Sequence, residues 1–132
     1  MTATSTKANP PATRRRRKNN PESVRADILA VATREFSEKG LSGARIDEIA
    51  EKTRASKRMI YYYFTDKETL YLHTLEAAYQ KVRLQEAELD LDHLAPLEAL
   101  SRLVRFTFCH HAKNPDFIRL VMIENIHHGR FI

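Results

Sequence analysis

The sequence predicts an all-α protein. Only 3 Gly and 5 Pro occur in 132 residues, against plentiful Leu, Ala, Glu, Lys and Arg, the residue types that lose least on entering a helix. Apolar residues return at three- and four-residue spacing, and no segment alternates as a half-buried strand would. Hydrophobic residues make up 42% of the chain, enough to fill a core. The length suits one domain, or one small domain plus part of a second.

Order is expected to begin near Pro21. Val24, Ile28, Val31, Ala32 and Phe36 share one helical face, which predicts a helix over 22–39. Gly40 closes it as a C-cap residue would. Leu41, Ser42 and Gly43 form a loop, and Ile46, Ile49 and Ala50 define a short second helix near 45–52. After Thr53-Arg54-Ala55, Ser56 can cap a third helix over 57–63, with Ile60 and Phe64 facing inward. Thr65 followed by Glu68 matches a capping box for a fourth helix. Leu70, Tyr71, Leu75, Ala78, Tyr79 and Val82 carry it to about Leu89. The stretch from Asp90 to Ala95 breaks the pattern. Pro96 then starts a fifth helix, with Leu97, Leu100, Val104 and Phe108 on one face. Asn114-Pro115 repeats the start signal for a sixth, which runs to about His128 and ends at Gly129.

Charge is concentrated at the N-terminus. Lys7, Arg14, Arg15, Arg16, Arg17 and Lys18 meet no acid within residues 1–20, whereas the whole chain carries only +5, so the remainder is slightly acidic. A tail of this composition cannot bury a core and is expected to be disordered. It suits phosphate backbones or acidic surfaces, and equally a solubilising role. No apolar run of membrane-spanning length occurs, and none follows the basic tail as in a secretory signal. The lone Cys109 rules out an intramolecular disulfide framework and fits a reducing cytoplasm.

The two short helices at 45–52 and 57–63, three to four residues apart, have the proportions of a helix-turn-helix. Such a motif needs a rigid second helix, anchored by apolar residues and carrying donors outside, that fits a groove ~12 Å wide. Ile60 and Phe64 supply the anchors. Lys57 and Arg58 open the helix and Tyr61, Tyr62 and Tyr63 close it. Lys and Arg bond guanine edges or phosphate, and tyrosine hydroxyls bond phosphate. The same pattern also fits a packed helix pair with surface charges and no ligand.

The run from Arg25 to Leu75 resembles the DNA-binding domain of the TetR family of bacterial transcription regulators. The resemblance is carried by Ile28-Leu29, Ala32, Phe36, Gly40, Ile46, Ile49-Ala50, Ser56-Lys57, Ile60-Tyr61-Tyr62-Tyr63-Phe64 and Asp66-Lys67-Glu68-Thr69-Leu70. It implies a three-helix helix-turn-helix domain over 21–66, after the tail of 1–20, and part of a C-terminal helical effector and dimerisation domain over 67–132. It further implies a homodimeric repressor, bacterial, cytoplasmic and associated with the nucleoid, that leaves a double-stranded DNA operator when a small-molecule effector binds. Carried over by position, Lys57 and Arg58 meet bases or phosphates in the major groove, and Tyr62 and Tyr63 bond phosphates. Lys67, at the start of the fourth helix, and Arg45, at the start of the second, are further phosphate contacts. Tyr61 is assigned to the core. Where the family commonly has Gly and Val in the turn, this chain has Arg54 and Ala55, so a left-handed backbone at Arg54 would cost roughly 1 kcal/mol or more. Ala44 replaces a common Thr and cannot cap the second helix. The family is usually longer, and the helices that complete its pocket and dimer are expected beyond these residues, whether the chain is naturally short or cut.

The second half says less. Asn114-Pro115-Asp116-Phe117 through Glu124-Asn125-Ile126 is similar to regulators of aromatic-compound catabolism. Phe106, Phe108, Phe117 and Met122 are candidate pocket residues, although aromatic and Met residues at helical spacing more often form plain core. His110-His111 and His127-His128 are adjacent pairs without metal-ligand spacing. Neighbours on a helix do not face each other, so Cys109 and His110 form no nucleophile–base pair, and Cys109 is expected to be a half-buried structural thiol. No cofactor, metal site or catalytic constellation emerges, so an enzyme is not expected. The alternative is a non-catalytic helical adapter binding a protein partner. Such an adapter has no need for Lys57, Arg58 and three tyrosines clustered on one short helix.

Overall fold

The computed structural model describes residues 20–127, 129 and 130. Among them the regular structure is entirely helical: α1 (Pro21–Gly43), α2 (Ile46–Lys52), α3 (Lys57–Phe64), α4 (Lys67–Ala87), α5 (Pro96–Lys113) and α6 (Pro115–Ile126). The basic tail through residue 19 lies outside the described residues. α1 starts where Asn20 Oδ1 accepts the Glu22 amide at 3.2 Å and Pro21 fills the first turn. Its regular part ends at Gly40 (φ 69°, ψ 177°), a backbone that an L side chain adopts only with strain. One further turn then closes with the Ala44 amide on the Gly40 carbonyl.

The core is built on α1. Ile28, Ala32 and Phe36 are fully buried and meet Leu70, Tyr71 and Leu75 of α4, Leu120 of α6, and Ile49, Ile60 and Phe64 of the two short helices. Each large aliphatic or aromatic side chain buried there contributes roughly 1.5–3 kcal/mol. α1 packs most extensively on α4 and α6, so the first and last described helices are neighbours. The Phe36 and Tyr71 rings meet edge-to-face at 5.1 Å.

Several sequence expectations are corrected. Asp66, not Thr65, caps α4: its Oδ1 accepts the Thr69 amide at 2.7 Å. Thr65 instead ends α3 at φ 68°, ψ −59°, a tight three-residue turn closed by the Asp66 amide on the Phe64 carbonyl. Arg54 is not left-handed; among the described residues the non-glycine positions with positive φ are Thr65 and Asp90. The turn is held by Thr53, whose Oγ1 accepts the Ala55 amide at 3.2 Å and lies the same distance from the Ala50 carbonyl. α4 ends at Ala87 and α6 at Ile126, both slightly early, and the Gly129 amide returns to the Glu124 carbonyl at 2.8 Å. Cys109 is exposed rather than half-buried. The predicted apolar face of α5 is also open, with Leu97, Leu100, Val104 and Phe108 exposed.

Candidate nucleic-acid interface

α3 is short, capped and amphipathic. Ser56 Oγ accepts the Met59 amide at 3.2 Å, which fixes the first turn and satisfies a donor that would otherwise be orphaned. Ile60 and Phe64 are 1% exposed and pin one face to the core. Arg25 of α1 lies over the Phe64 ring at 5.3 Å, and His73 of α4 meets that ring at 5.5 Å. The opposite face is open: Lys57, Arg58 and Tyr62 are exposed, Tyr62 at 83%.

Tyr61, assigned to the core from sequence, is 42% exposed. Tyr63 is the half-buried member, packed against the core and edge-to-face with Tyr62 at 5.3 Å. The reason lies in the neighbours rather than in the helix. Tyr61 and Tyr63 each lie about 80° from the middle of the Ile60–Phe64 stripe, on opposite sides, and only the Tyr63 side has core residues packed against it.

The cations gather around the loop between α1 and α2. Asp47 Oδ1 binds Lys57 Nζ at 2.7 Å, and its other oxygen lies 3.7 Å from Arg45. Lys57 holds the Asp47 carboxyl below the usual carboxylate range, and Asp47 raises Lys57 in return. Lys67 Nζ points at the Ser42 carbonyl, 3.5 Å away. The structure thus places Arg45, Lys57 and Lys67 about one loop, with Arg58 and Tyr62 on the adjoining helix face. Sequence reasoning does not single out Asp47, an acid amid these cations; its distance of ten residues from Lys57 gives no periodic signal.

α2 is clamped to α1 by a second ionic cluster. Glu35, 2% exposed, receives Lys39 at 2.9 Å and also Lys52 at the end of α2, while Lys39 reaches Glu48 as well. The hydrogen bonds from Lys52 and then Lys39 hold the Glu35 carboxyl below its ordinary range against the opposing effect of burial.

The four pocket candidates separate. Phe106 and Phe117 share a cavity of about 360 Å³ with Tyr79, Val82, Thr107 and His110, between α4, α5 and α6. Phe108 is 75% exposed and lines a separate groove with Val104; Met122 is 60% exposed. They do not form one chamber, because Phe108 lies two residues from Phe106 and points about 200° away around α5.

Residues 28–74 match the family of bacterial regulatory proteins called tetR, and residues 96–132 match a tetracyclin repressor-like C-terminal domain. The chain belongs to the TetR family. This TetR-family chain is 37% identical over 113 residues to the HTH-type transcriptional repressor NicS of Pseudomonas putida, covering 86% of the chain and 53% of that protein. It is 33% identical over 116 residues to the HTH-type transcriptional repressor SCO4008 of Streptomyces coelicolor, covering 83% and 54%. The chain therefore spans about half the length of these relatives. The crystal structure of the transcriptional regulator SCO4942 from S. coelicolor superposes with a TM-score of 0.67 at 32% identity, over 83% of this chain and 57% of that one. A TetR-like regulator from Rhodococcus sp. RHA1 shares the fold, with a TM-score of 0.70 at 21% identity over 82% and 63%. No described helix is long and apolar enough to cross a membrane.

Proposed function

We propose that this TetR-family chain carries the reading head and the first part of the effector domain of a transcriptional repressor. The observation that carries the reading is α3: a capped helix pinned by Ile60 and Phe64, with an open face of Lys57, Arg58 and Tyr62 and further cations beside it. In this reading α3 enters the major groove of a double-stranded operator. Arg58 and Lys57 reach base edges or phosphate, and Arg45, Tyr62, Tyr63 and Lys67 bond the backbone. Lys67 stands in the first turn of α4, where the helix dipole adds to its pull on a phosphate.

The proposed organisation is a DNA-binding unit over 21–66 and a regulatory unit from 67 onward, in a cytoplasmic homodimer that a small-molecule effector releases from DNA. NicS and SCO4008 are named repressors, which supports that direction of control. Phe106 and Phe117 supply walls of the proposed effector site. Gel shift on DNA upstream of the protein's own gene, against random DNA of equal length, tests the reading. Preferential retardation is expected; equal retardation of both, or none, overturns it.

A further inference from the structure

The cavity between α4, α5 and α6 holds a polar group that no described residue satisfies. His110 is 5% exposed, and neither its Nδ1 nor its Nε2 has a hydrogen-bond partner. Buried polar atoms in folded proteins are almost always paired, because leaving one unpaired forfeits its bonds to water. An imidazole has one donor and one acceptor when neutral. Burial, followed by the charges of His111 and Lys81 and opposed by Glu86, pushes its pKa down, which favours that neutral form.

The surroundings of His110 are aromatic. Its ring meets Phe117 edge-to-face at 5.3 Å and lies 5.8 Å from Phe106, and Tyr79 closes on Phe117 at 5.6 Å. Three aromatic walls around one hydrogen-bonding ring suit a flat guest better than a flexible one, since ring–ring contacts reward planar faces and edges. The cavity of about 360 Å³ is within the range of small-molecule sites, which are mostly apolar with a few polar groups that fix orientation. Arg83 and Glu86, which also line it, bring one charge of each sign to its rim.

We propose that His110 is the specificity-determining residue of a site for a small planar aromatic molecule bearing a neutral hydrogen-bonding group, such as a phenolic hydroxyl. This deepens the effector-domain reading above and rests on it for its regulatory meaning. The guest's ring lies among Tyr79, Phe106 and Phe117, and its polar group satisfies a nitrogen of His110 that the imidazole turns toward the cavity. α4 and α6, which line the cavity, are also the helices packed on α1.

Calorimetric titration with 2-naphthol and with naphthalene tests the site. The wild-type chain should bind 2-naphthol about tenfold more tightly, the effect of one buried hydrogen bond. H110F should bind the two equally, and H110Q, which keeps a donor and an acceptor, should restore the preference. Should H110F fail to fold, the assigned ring-nitrogen NMR signals of His110 in the wild type serve instead; they should shift with 2-naphthol and stay still with naphthalene. No binding of either compound at millimolar concentration, or an unchanged preference in H110F, overturns the proposal. Gel shift run in parallel separates the two readings. Loss of operator preference with retained 2-naphthol binding sinks the repressor reading alone, and intact DNA binding without 2-naphthol binding sinks the site alone.

Discussion

Replacing Glu35 by glutamine tests whether α2 is held on α1 by charge. The substitution keeps the shape and one acceptor but removes the ion. Glu35 is 2% exposed and receives two ammonium groups, Lys39 and Lys52. Glutamine leaves one oxygen, so one ammonium keeps a charge-assisted bond and the other loses its acceptor and faces an amide NH2; losing one hydrogen bond to a charged group amounts to roughly 2 kcal/mol. Part of that is returned because a carboxylate no longer has to leave water. The lysine side chains are 36% and 54% exposed and rehydrate readily, so no buried cation is orphaned. The net expectation for E35Q is a destabilisation of about 1–2 kcal/mol at pH 7.

The pH dependence gives the sharper check. The folded-state pKa of Glu35 is lowered. Its contribution is therefore fully present above the unfolded value, near ~4.3, and disappears as pH falls through the folded value. Urea denaturation of both proteins at pH 7 and again at about pH 3 should show a gap that narrows toward zero in acid. A gap of the same size at both pH values would mean that Glu35 acts through packing, and the ionic argument would fail.

Arg58→Ala should weaken operator binding by ~1–3 kcal/mol if Arg58 makes a bidentate base contact; isotherms on operator and random DNA decide, since equal weakening on both reassigns it to phosphate and no weakening removes it from the interface. Asp47→Asn should strengthen binding to random DNA several-fold at low salt, because it removes a negative charge and frees Lys57 and Arg45; unchanged affinity would put Asp47 away from the phosphates. Deleting residues 1–20 should flatten the salt dependence by roughly 0.9 in log–log slope for each phosphate that the tail neutralises, and an unchanged slope would make the basic tail a bystander.

The six helices are legible in the sequence because their signals are local. Proline at the first turns of α1, α5 and α6, serine before α3 and the glycine after residue 39 each act within one turn of the chain. Asp66 and Thr65 are both good caps, and only the backbone reversal at Thr65 decides between them. Exposure around α3 is legible except for two tyrosines that exchange places, since Tyr61 and Tyr63 are the same residue on either side of a single position. The ionic clusters are not legible. Lys52 reaches Glu35 across 17 residues and Lys57 reaches Asp47 across two elements, and no periodicity encodes such pairs. His110 reads along the chain only as half of an adjacent pair without metal spacing. Its burial depends on where α6 crosses α5, which pattern along the chain does not state.

The same distinction explains why one turn of α1 matters more than its composition suggests. Residues 35, 36 and 37 point about 100° apart, so three consecutive side chains address three different neighbours. Glu35 binds Lys52 at the end of α2. Phe36 packs on Tyr71 of α4, and the Tyr71 hydroxyl donates to buried Glu124 of α6 at 2.7 Å. Ser37 Oγ donates to the Arg34 carbonyl at 2.8 Å and lies 3.3 Å from Asp116 of α6. Three residues further on, Gly40 passes Ile123 of α6. A displacement of α6 therefore either carries α4 and α1 with it or breaks the buried Tyr71–Glu124 bond, which costs on the order of 1–3 kcal/mol when a partner is left unsatisfied, together with the part-buried Ser37–Asp116 contact. The helix that anchors α2 and, through Arg25 and the core, α3 is thus the helix that α6 grips. α6 and the pair α2–α3 thus share α1 as their common packing partner.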